Sequence, residues 1–228
     1  MGYYPGKIND AHIKEYISDI VPDDSNKMIR ELEAYALEKD VPIIEIEVKR
    51  MLEVLIKSSQ VKSILEVGTA IGYSSLIFAR AMNYKGYVKS YEIDEKMHAL
   101  ATHNHNRFMK NYGIYLNIDL VLSDAKTSLE NDEGLYDMIF IDAAKGHYQK
   151  FYDQISNNLK KGSIIISDNV LFKGMTATDE YVKRRKITIV NRMREYIDFL
   201  MNHKDLTTTV IPIGDGVAIS YYDGGKNE

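Results

Sequence analysis

Apolar residues recur along this chain with two different periods. In the first quarter the spacing is helical. Ile13, Ile17 and Ile20, then Met28, Leu32, Tyr35 and Ala36, punctuate the polar stretch from Asp10 to Lys39, the pattern of amphipathic helices. Pro22-Asp-Asp-Ser25 divides that stretch in two, with Asp23, Asp24 or Ser25 available as a helix cap. Val41-Pro-Ile-Ile44 is a short apolar entry segment, and a helix over 45–58 turns Val48, Met51, Leu52 and Leu55 to one side. From Val61 onward, short apolar runs alternate with helical stretches. Strands are expected over 63–67, 86–92, 118–124, 138–141 and 164–166, with helices over 74–82, 95–112 and 146–159 between them. Such alternation predicts an α/β fold with a doubly wound, mostly parallel sheet. Two β-rich runs, 207–213 and 217–222, are joined by Gly214-Asp-Gly216, so a C-terminal antiparallel hairpin completes seven strands.

Composition changes this picture little. The 228 residues carry 45% hydrophobic and 27% charged side chains, an ordinary globular balance. The expectation is a single domain, 1–228, made of a helical cover (1–58) on a sheet core (61–228). A formal net charge of −4 argues against a surface built throughout for nucleic acid. With no cysteine, disulfides, thiolate metal sites and cysteine nucleophiles are excluded. No apolar run approaches the length of a membrane span and MGYYPGKIND has no signal-peptide core, so a soluble cytoplasmic protein is expected.

The chemistry gathers at the ends of the predicted strands. Met138-Ile-Phe-Ile141 runs into Asp142, and Ile164-Ile-Ile166 into Asp168-Asn169. Parallel neighbours joined by one helix place these ends side by side, where open α/β sheets bind ligands. Two carboxylates and an amide oxygen suit Mg²⁺, Ca²⁺ or Mn²⁺ better than zinc. Gly68-Thr-Ala-Ile-Gly72 follows a strand and opens a helix, as a nucleotide loop does. Ala70 stands where a dinucleotide fingerprint needs its middle glycine, which favours an adenosine ligand without phosphate. Glu92, 20 residues after Gly72, can accept both ribose hydroxyls, and Asp124-Ala125 can meet an adenine edge. Each acid taken alone also reads as a turn or cap residue; their recurrence at four strand ends does not. His103, His105 and His147 have no metal-ligand spacing to these acids and read as surface or packing residues.

Taken together, LEVGTAIGYSS (65–75), Glu92, Asp124-Ala125, IDAAKGHY (141–148) and SDNV (167–170) resemble the class I S-adenosylmethionine-dependent methyltransferases, and within them the metal-dependent catechol and caffeoyl-CoA O-methyltransferases. The phrases IDAAKGHYQKFY, DNVLFKG and IPIGDGVAIS are similar to bacterial tRNA 5-hydroxyuridine methyltransferases, which act on a wobble uridine. The resemblance implies a Rossmann-like core, with Asp142, Asp168 and Asn169 on Mg²⁺. It implies cofactor contacts from Ile44, Glu66, Gly68, Ser74, Glu92, Asp124, Ala125 and Asp142. Lys145 stands at the third position after the first metal ligand, where catechol-type enzymes keep their general base. Ala143-Ala144 and Gly146 replace bulkier neighbours and leave space for a larger substrate. Relatives of this type are commonly dimers, so a homodimer is expected.

Methyl transfer from a sulfonium needs a nucleophile held in line, so positioning supplies much of the rate. A chelating oxygen pair would complete the metal's coordination, and both a catechol and 5-hydroxyuracil offer one. The basic run Lys183-Arg184-Arg185-Lys186 is the feature that points to RNA, since it could hold phosphates around a tRNA anticodon loop; its alternative is a solvated helix face. Tyr148 and Phe172 are candidates to stack on a base, Phe151 and Tyr152 are expected in the core, and Asp215 sits in a turn that could approach the substrate. The expected function is therefore Mg²⁺-dependent methylation of 5-hydroxyuridine at the tRNA wobble position, giving 5-methoxyuridine. Its rivals are a methyltransferase of small catechols and a non-catalytic adenosine-binding regulator.

Overall fold

The computed structural model describes residues 11–225; Asp10 and the MGYYPGKIND start lie outside them. The helices are α1 (Ala11–Ile20), α2 (Lys27–Lys39), α3 (Ile46–Ser58), α4 (Tyr73–Ala81), α5 (Glu95–Tyr112), α6 (Ala125–Ser128), α7 (Tyr148–Ile155) and α8 (Ile187–Asn202). The strands are β1 (Ser63–Val67), β2 (Tyr87–Glu92), β3 (Ile118–Leu122), β4 (Tyr136–Ile141), β5 (Leu159–Ser167), β6 (Leu206–Ile211) and β7 (Val217–Tyr222). Their order in the sheet is β3-β2-β1-β4-β5-β7-β6. β1 with β2, β2 with β3 and β4 with β5 pair in parallel, and β7 pairs antiparallel with β5 and β6. The expected mostly parallel sheet with a closing antiparallel hairpin is thus the observed one. The described residues form two compact units, residues 17–125 and residues 126–225 together with residues 11–16.

In the unit of residues 17–125, β1 is buried from Ile64 to Val67 because both faces of a parallel strand are covered. Helix α4 is buried almost throughout and α3 packs on it through Val48, Leu52 and Ile56; Met51 and Leu55 flank this face half-buried. Helix α2 buries Met28, Ile29, Leu32 and Ala36, whereas α1 leaves Ile13, Tyr16 and Ile20 58%, 64% and 58% exposed. The cap of α2 differs from expectation: Asn26, not Asp23, Asp24 or Ser25, accepts from the N–H groups of Met28 and Ile29. Asp24 is engaged elsewhere. Its carboxylate takes Arg80 Nη1 at 2.7 and 2.8 Å, Lys49 Nζ at 3.5 Å and the Asn26 N–H at 3.0 Å. Lys49, itself buried, also reaches Glu33 at 2.8 Å, and Arg80 reaches Glu53 at 2.7 Å. This ionic network ties the loop before α2 to α3 and α4.

In the other unit, β4 and β5 are buried along their apolar runs and α7 packs Tyr148, Phe151, Tyr152 and Ile155 inward. The bridge expected over 146–159 is shorter as a helix, because 3₁₀ turns at 145–147 and 156–158 flank α7. Helix α8 was not expected from the strand-and-helix alternation. Its signal is the apolar set Val190, Met193, Tyr196 and Leu200, spaced at three and four residues. Among the described residues no helix is long and apolar enough to cross a membrane.

Burial alone would raise the pKa of Asp24, but the Arg80 guanidinium, the Asn26 N–H and Lys49 together bring it below the usual aspartate value. A group depressed in the folded state stabilises it fully above the unfolded value, about 3.9 for aspartate, and loses that contribution as pH falls through the folded value. Asp24→Asn is expected to lower stability at pH 7 by about 3 kcal/mol, the scale for breaking a buried ion pair. Urea unfolding below about pH 4 should show the variant and the unmodified chain converging.

Candidate active site

The glycine turn after β1 is braced from all sides within its unit. Gly68 and Thr69 donate their N–H groups to Tyr91 O on β2, at 3.0 and 3.3 Å, and Gly72 N closes the turn on Thr69 O at 2.9 Å. Ala70 and Gly72 take positive φ angles of 46° and 78°, which a tight strand-to-helix turn demands. Glu66 lies fully buried beneath and accepts from the hydroxyls of Ser74 and Ser90. Glu66 and Ser74 therefore satisfy one another under the turn. Glu92, at the end of β2, accepts from Ala70 N and Asp94 N, each at 2.8 Å. Two backbone donors leave a carboxylate further lone pairs, so Glu92 is oriented and still able to receive ribose hydroxyls. Ser123 N donates to Glu92 O at 2.8 Å, which brings the exit of β3 beside it. Asp124 and Ala125 follow β3 rather than ending it, and Ala125 is buried as the first residue of α6.

Ile44 is buried. It lines a cavity of about 760 Å³ with Glu33, Lys49 and Tyr73, whose wall includes none of Gly68, Glu92 and Asp124. His105 is buried against the glycine turn, consistent with packing, and His103 is exposed.

The second cluster is built at the carboxyl ends of β4 and β5. Register pairs Ile141 with Ser167, so Asp142 and Asp168 leave the sheet side by side, and Asp168 N donates to Ile141 O at 2.9 Å. Asn169 Nδ2 donates to Asp142 Oδ1 at 2.8 Å; its Oδ1 is then the donor atom it could offer a cation. Asp168 is 4% exposed, and burial, then the charge of Asp142, push its carboxyl up to about 8. Asp142 is less covered overall, yet desolvation also raises its pKa, against the opposing pull of Lys145 and Asn169. Two carboxylates crowded in a low-dielectric corner ionise together only when a counter-charge accompanies them. Among the described residues no three His, Cys, Asp or Glu side chains form a metal-binding group, so Asn169 would be the third protein donor. Hard oxygen donors of this kind fit a small divalent cation.

Lys145 is drawn toward this cluster from the turn before α7. Its Nζ lies 3.1 Å from Asp215 Oδ2 and 4.9 Å from the centre of the Phe172 ring. Asp215, in the β6–β7 turn, also accepts from Lys173 N, while Leu171 N and Val170 N donate to Asp215 O and Gly216 O, each at 2.9 Å. The hairpin turn thus holds both Lys145 and the loop that follows Asn169. That loop places Asn169, Phe172 and Lys173 at φ of 61°, 46° and 57°, conformations that non-glycine residues rarely adopt and that cluster at functional sites. Lys186 sits 5.6 Å from the same Phe172 ring, so the basic run 183–186 comes up to the loop while Lys183, Arg184 and Arg185 stay exposed. Tyr148 is not placed to stack on a base: it is buried, and its hydroxyl donates to Asp168 O at 2.9 Å. Phe172 is 8% exposed and packs with Met175 and Val190, with Lys145 and Lys186 both near its ring.

Known proteins match this arrangement over nearly its whole length. The O-methyltransferase family model covers residues 19–221. The catechol O-methyltransferase of Niastella koreensis is 26% identical over 93% of both chains, and the caffeoyl-CoA O-methyltransferase of Stellaria longipes is 27% identical over 74% of this chain and 71% of its own. A Staphylococcus aureus structure, provisionally named a caffeoyl-CoA O-methyltransferase, superposes with a TM-score of 0.83 at 33% identity over 92% of this chain and 99% of that one. An O-methyltransferase from Bacillus cereus in complex with SAH gives 0.77 at 25% identity, over 92% and 97%. With its family model spanning both clusters, this chain belongs to the O-methyltransferase family, of the class I S-adenosylmethionine-dependent type.

Proposed function

We propose that this O-methyltransferase transfers the S-adenosylmethionine methyl group, with Mg²⁺, to the 5-hydroxyl of 5-hydroxyuridine at the tRNA wobble position. The observation that carries the RNA reading is the basic segment folded onto Phe172. Residues 173–194 hold seven Lys or Arg and two acids, in a chain whose net charge is −4. One of those acids, Asp179, is paired with Arg194. Such a concentration of positive charge suits a phosphate backbone. Its Lys186 and the candidate base Lys145 meet on one ring, which supports a polyanion delivered to this cluster.

The nucleoside of the cofactor belongs on Glu92 and the glycine turn, with Asp124 and Ala125 toward the base. S-adenosylmethionine supplies an electrophilic methyl group on a sulfonium. Asp142, Asp168 and Asn169 would hold the cation, which supplies positive charge that favours ionisation of the acceptor hydroxyl. Lys145, in its neutral amine form, would take the proton from O5 onto Nζ, and Asp215 keeps that side chain in place. The O5 hydroxyl and O4 carbonyl of 5-hydroxyuracil would offer a cation held there two adjacent oxygens. A small catechol offers an equivalent pair, and the similarity to catechol and caffeoyl-CoA enzymes favours it as the second reading.

The deciding experiment is methylation of bulk tRNA from cells lacking this protein, followed by nucleoside mass spectrometry. Chelator-sensitive conversion of 5-hydroxyuridine to 5-methoxyuridine is expected; turnover of a catechol with 5-hydroxyuridine left intact would overturn the RNA reading. Lys145→Met should reduce turnover by about 10²–10⁴-fold, the range for a general base, with S-adenosylhomocysteine affinity measured by calorimetry unchanged. Replacing Lys183, Arg184, Arg185 and Lys186 by alanine should raise the KM for tRNA and flatten its salt dependence, while methylation of any small catechol acceptor stays as before.

A further inference from the structure

Helix α5 carries two polar residues where its own period would place apolar ones. Ala101, Asn104, His105 and Phe108 are its buried face, spaced i, i+3, i+4 and i+7, and polar groups buried there need partners. Both find them in the glycine turn. Asn104 Nδ2 donates to Ile71 O at 2.9 Å. His105 Nε2 lies 3.1 Å from Gly72 O and 3.0 Å from Ser75 Oγ, and Ser75 Oγ donates to Gly72 O at 3.1 Å. A carbonyl oxygen only accepts, so Nε2 carries the imidazole hydrogen. Burial keeps the ring neutral by bringing its pKa down to about 4, against the opposing pull of the Gly72 carbonyl.

The contact between helix and turn is close. A β-carbon on Gly72, whose φ is +78°, would lie 2.6 Å from His105 Nε2 and 3.1 Å from Ala101 Cβ. The two carbonyls held from behind belong to consecutive peptides. A trans peptide directs its N–H opposite its C=O. The peptide that Asn104 holds by Ile71 O therefore has its N–H turned the other way, where it closes the turn on Thr69 O. The peptide that His105 holds by Gly72 O presents the Tyr73 N–H away from α5, at the start of α4.

We propose that Asn104 and His105 are positioning residues for the cofactor: α5 clamps the rear of the glycine turn and so presets the backbone that receives the nucleoside of S-adenosylmethionine. This rests on the glycine turn being the cofactor loop. Neither side chain touches the ligand. Their effect is read through the turn, whose Ala70 N–H in turn orients Glu92.

The test is calorimetric binding of S-adenosylhomocysteine to the full chain, alongside thermal melting, for Asn104→Leu, His105→Leu and His105→Gln. Removing either donor strands a buried carbonyl, so the two leucine variants should weaken binding about tenfold. His105→Gln, whose amide can still donate to Gly72 O, should recover most of the affinity even if its melting temperature stays low. Affinity within twofold of the unmodified chain in both leucine variants would overturn the proposal, whatever their melting temperatures. So would a glutamine variant as weak as His105→Leu, since a merely structural histidine would give that pattern. If Asn104→Leu does not fold by circular dichroism, the two His105 variants decide. Failure of the unmodified chain to bind S-adenosylhomocysteine would instead sink the cofactor-loop reading, a separate outcome.

Discussion

Two carboxylates meeting at the ends of adjacent parallel strands create the constraint around which residues 126–225 are organised. Parallel pairing of β4 and β5 leaves no freedom to separate Asp142 from Asp168. Desolvation first, and then the charge of Asp142, raise the Asp168 carboxyl to about 8. Nearly every unusual feature nearby answers that crowding. Asn169 spends its amide N–H on Asp142, and Lys145 is brought in from the next turn. Tyr148 ties down the backbone of Asp168. Asp215 then anchors the lysine so recruited.

Residues 17–125 solve a different problem, that of making a tight turn rigid. Glu66 and Ser90 hold it from below, Tyr91 O from the neighbouring strand, and α5 from the rear. The turn has little conformational entropy left to lose when a ligand arrives, which is what preorganisation contributes to affinity. Further from the turn, Arg80 of α4 reaches the Asp24 and Glu53 carboxylates, so the same helix that opens at the glycine turn is fastened by charge at its far end.

Much of this was legible in the residues because burial and periodicity are local properties. Apolar runs ending in acid located the carboxyl ends of β2, β4 and β5 to within a residue, the glycine turn marked the end of β1, and Gly214-Asp-Gly216 located the hairpin. Sequence reasoning was weaker where side chains choose partners far along the chain. Asp24 looked like a cap but is captured by Arg80, 56 residues away, leaving Asn26 to cap α2. Asp215 could be placed in a turn, yet its pairing with Lys145 spans 70 residues. Helix α8 has a regular apolar set, Val190, Met193, Tyr196 and Leu200, but it opens directly after the basic run 183–186 with no side-chain cap to mark its start. The buried polar pair on α5 did leave a signal, two polar residues on an otherwise apolar helix face, but only the fold reveals that a backbone turn lies opposite.

The left-handed residues after Asn169 have a consequence for anyone recombining parts of such enzymes. Three non-glycine residues between Asn169 and Lys173 hold conformations disfavoured in isolation, and the N–H groups of Val170, Leu171 and Lys173 donate to a hairpin more than forty residues downstream. A β-carbon at Gly216 would sit 2.3 Å from Leu171 Cγ, so the two segments fit one another as lock and key along a single seam. A chimera that imports the loop without the hairpin, or the hairpin without the loop, would carry a mismatch invisible to any comparison made segment by segment. The two segments are one inheritable module, written in two places.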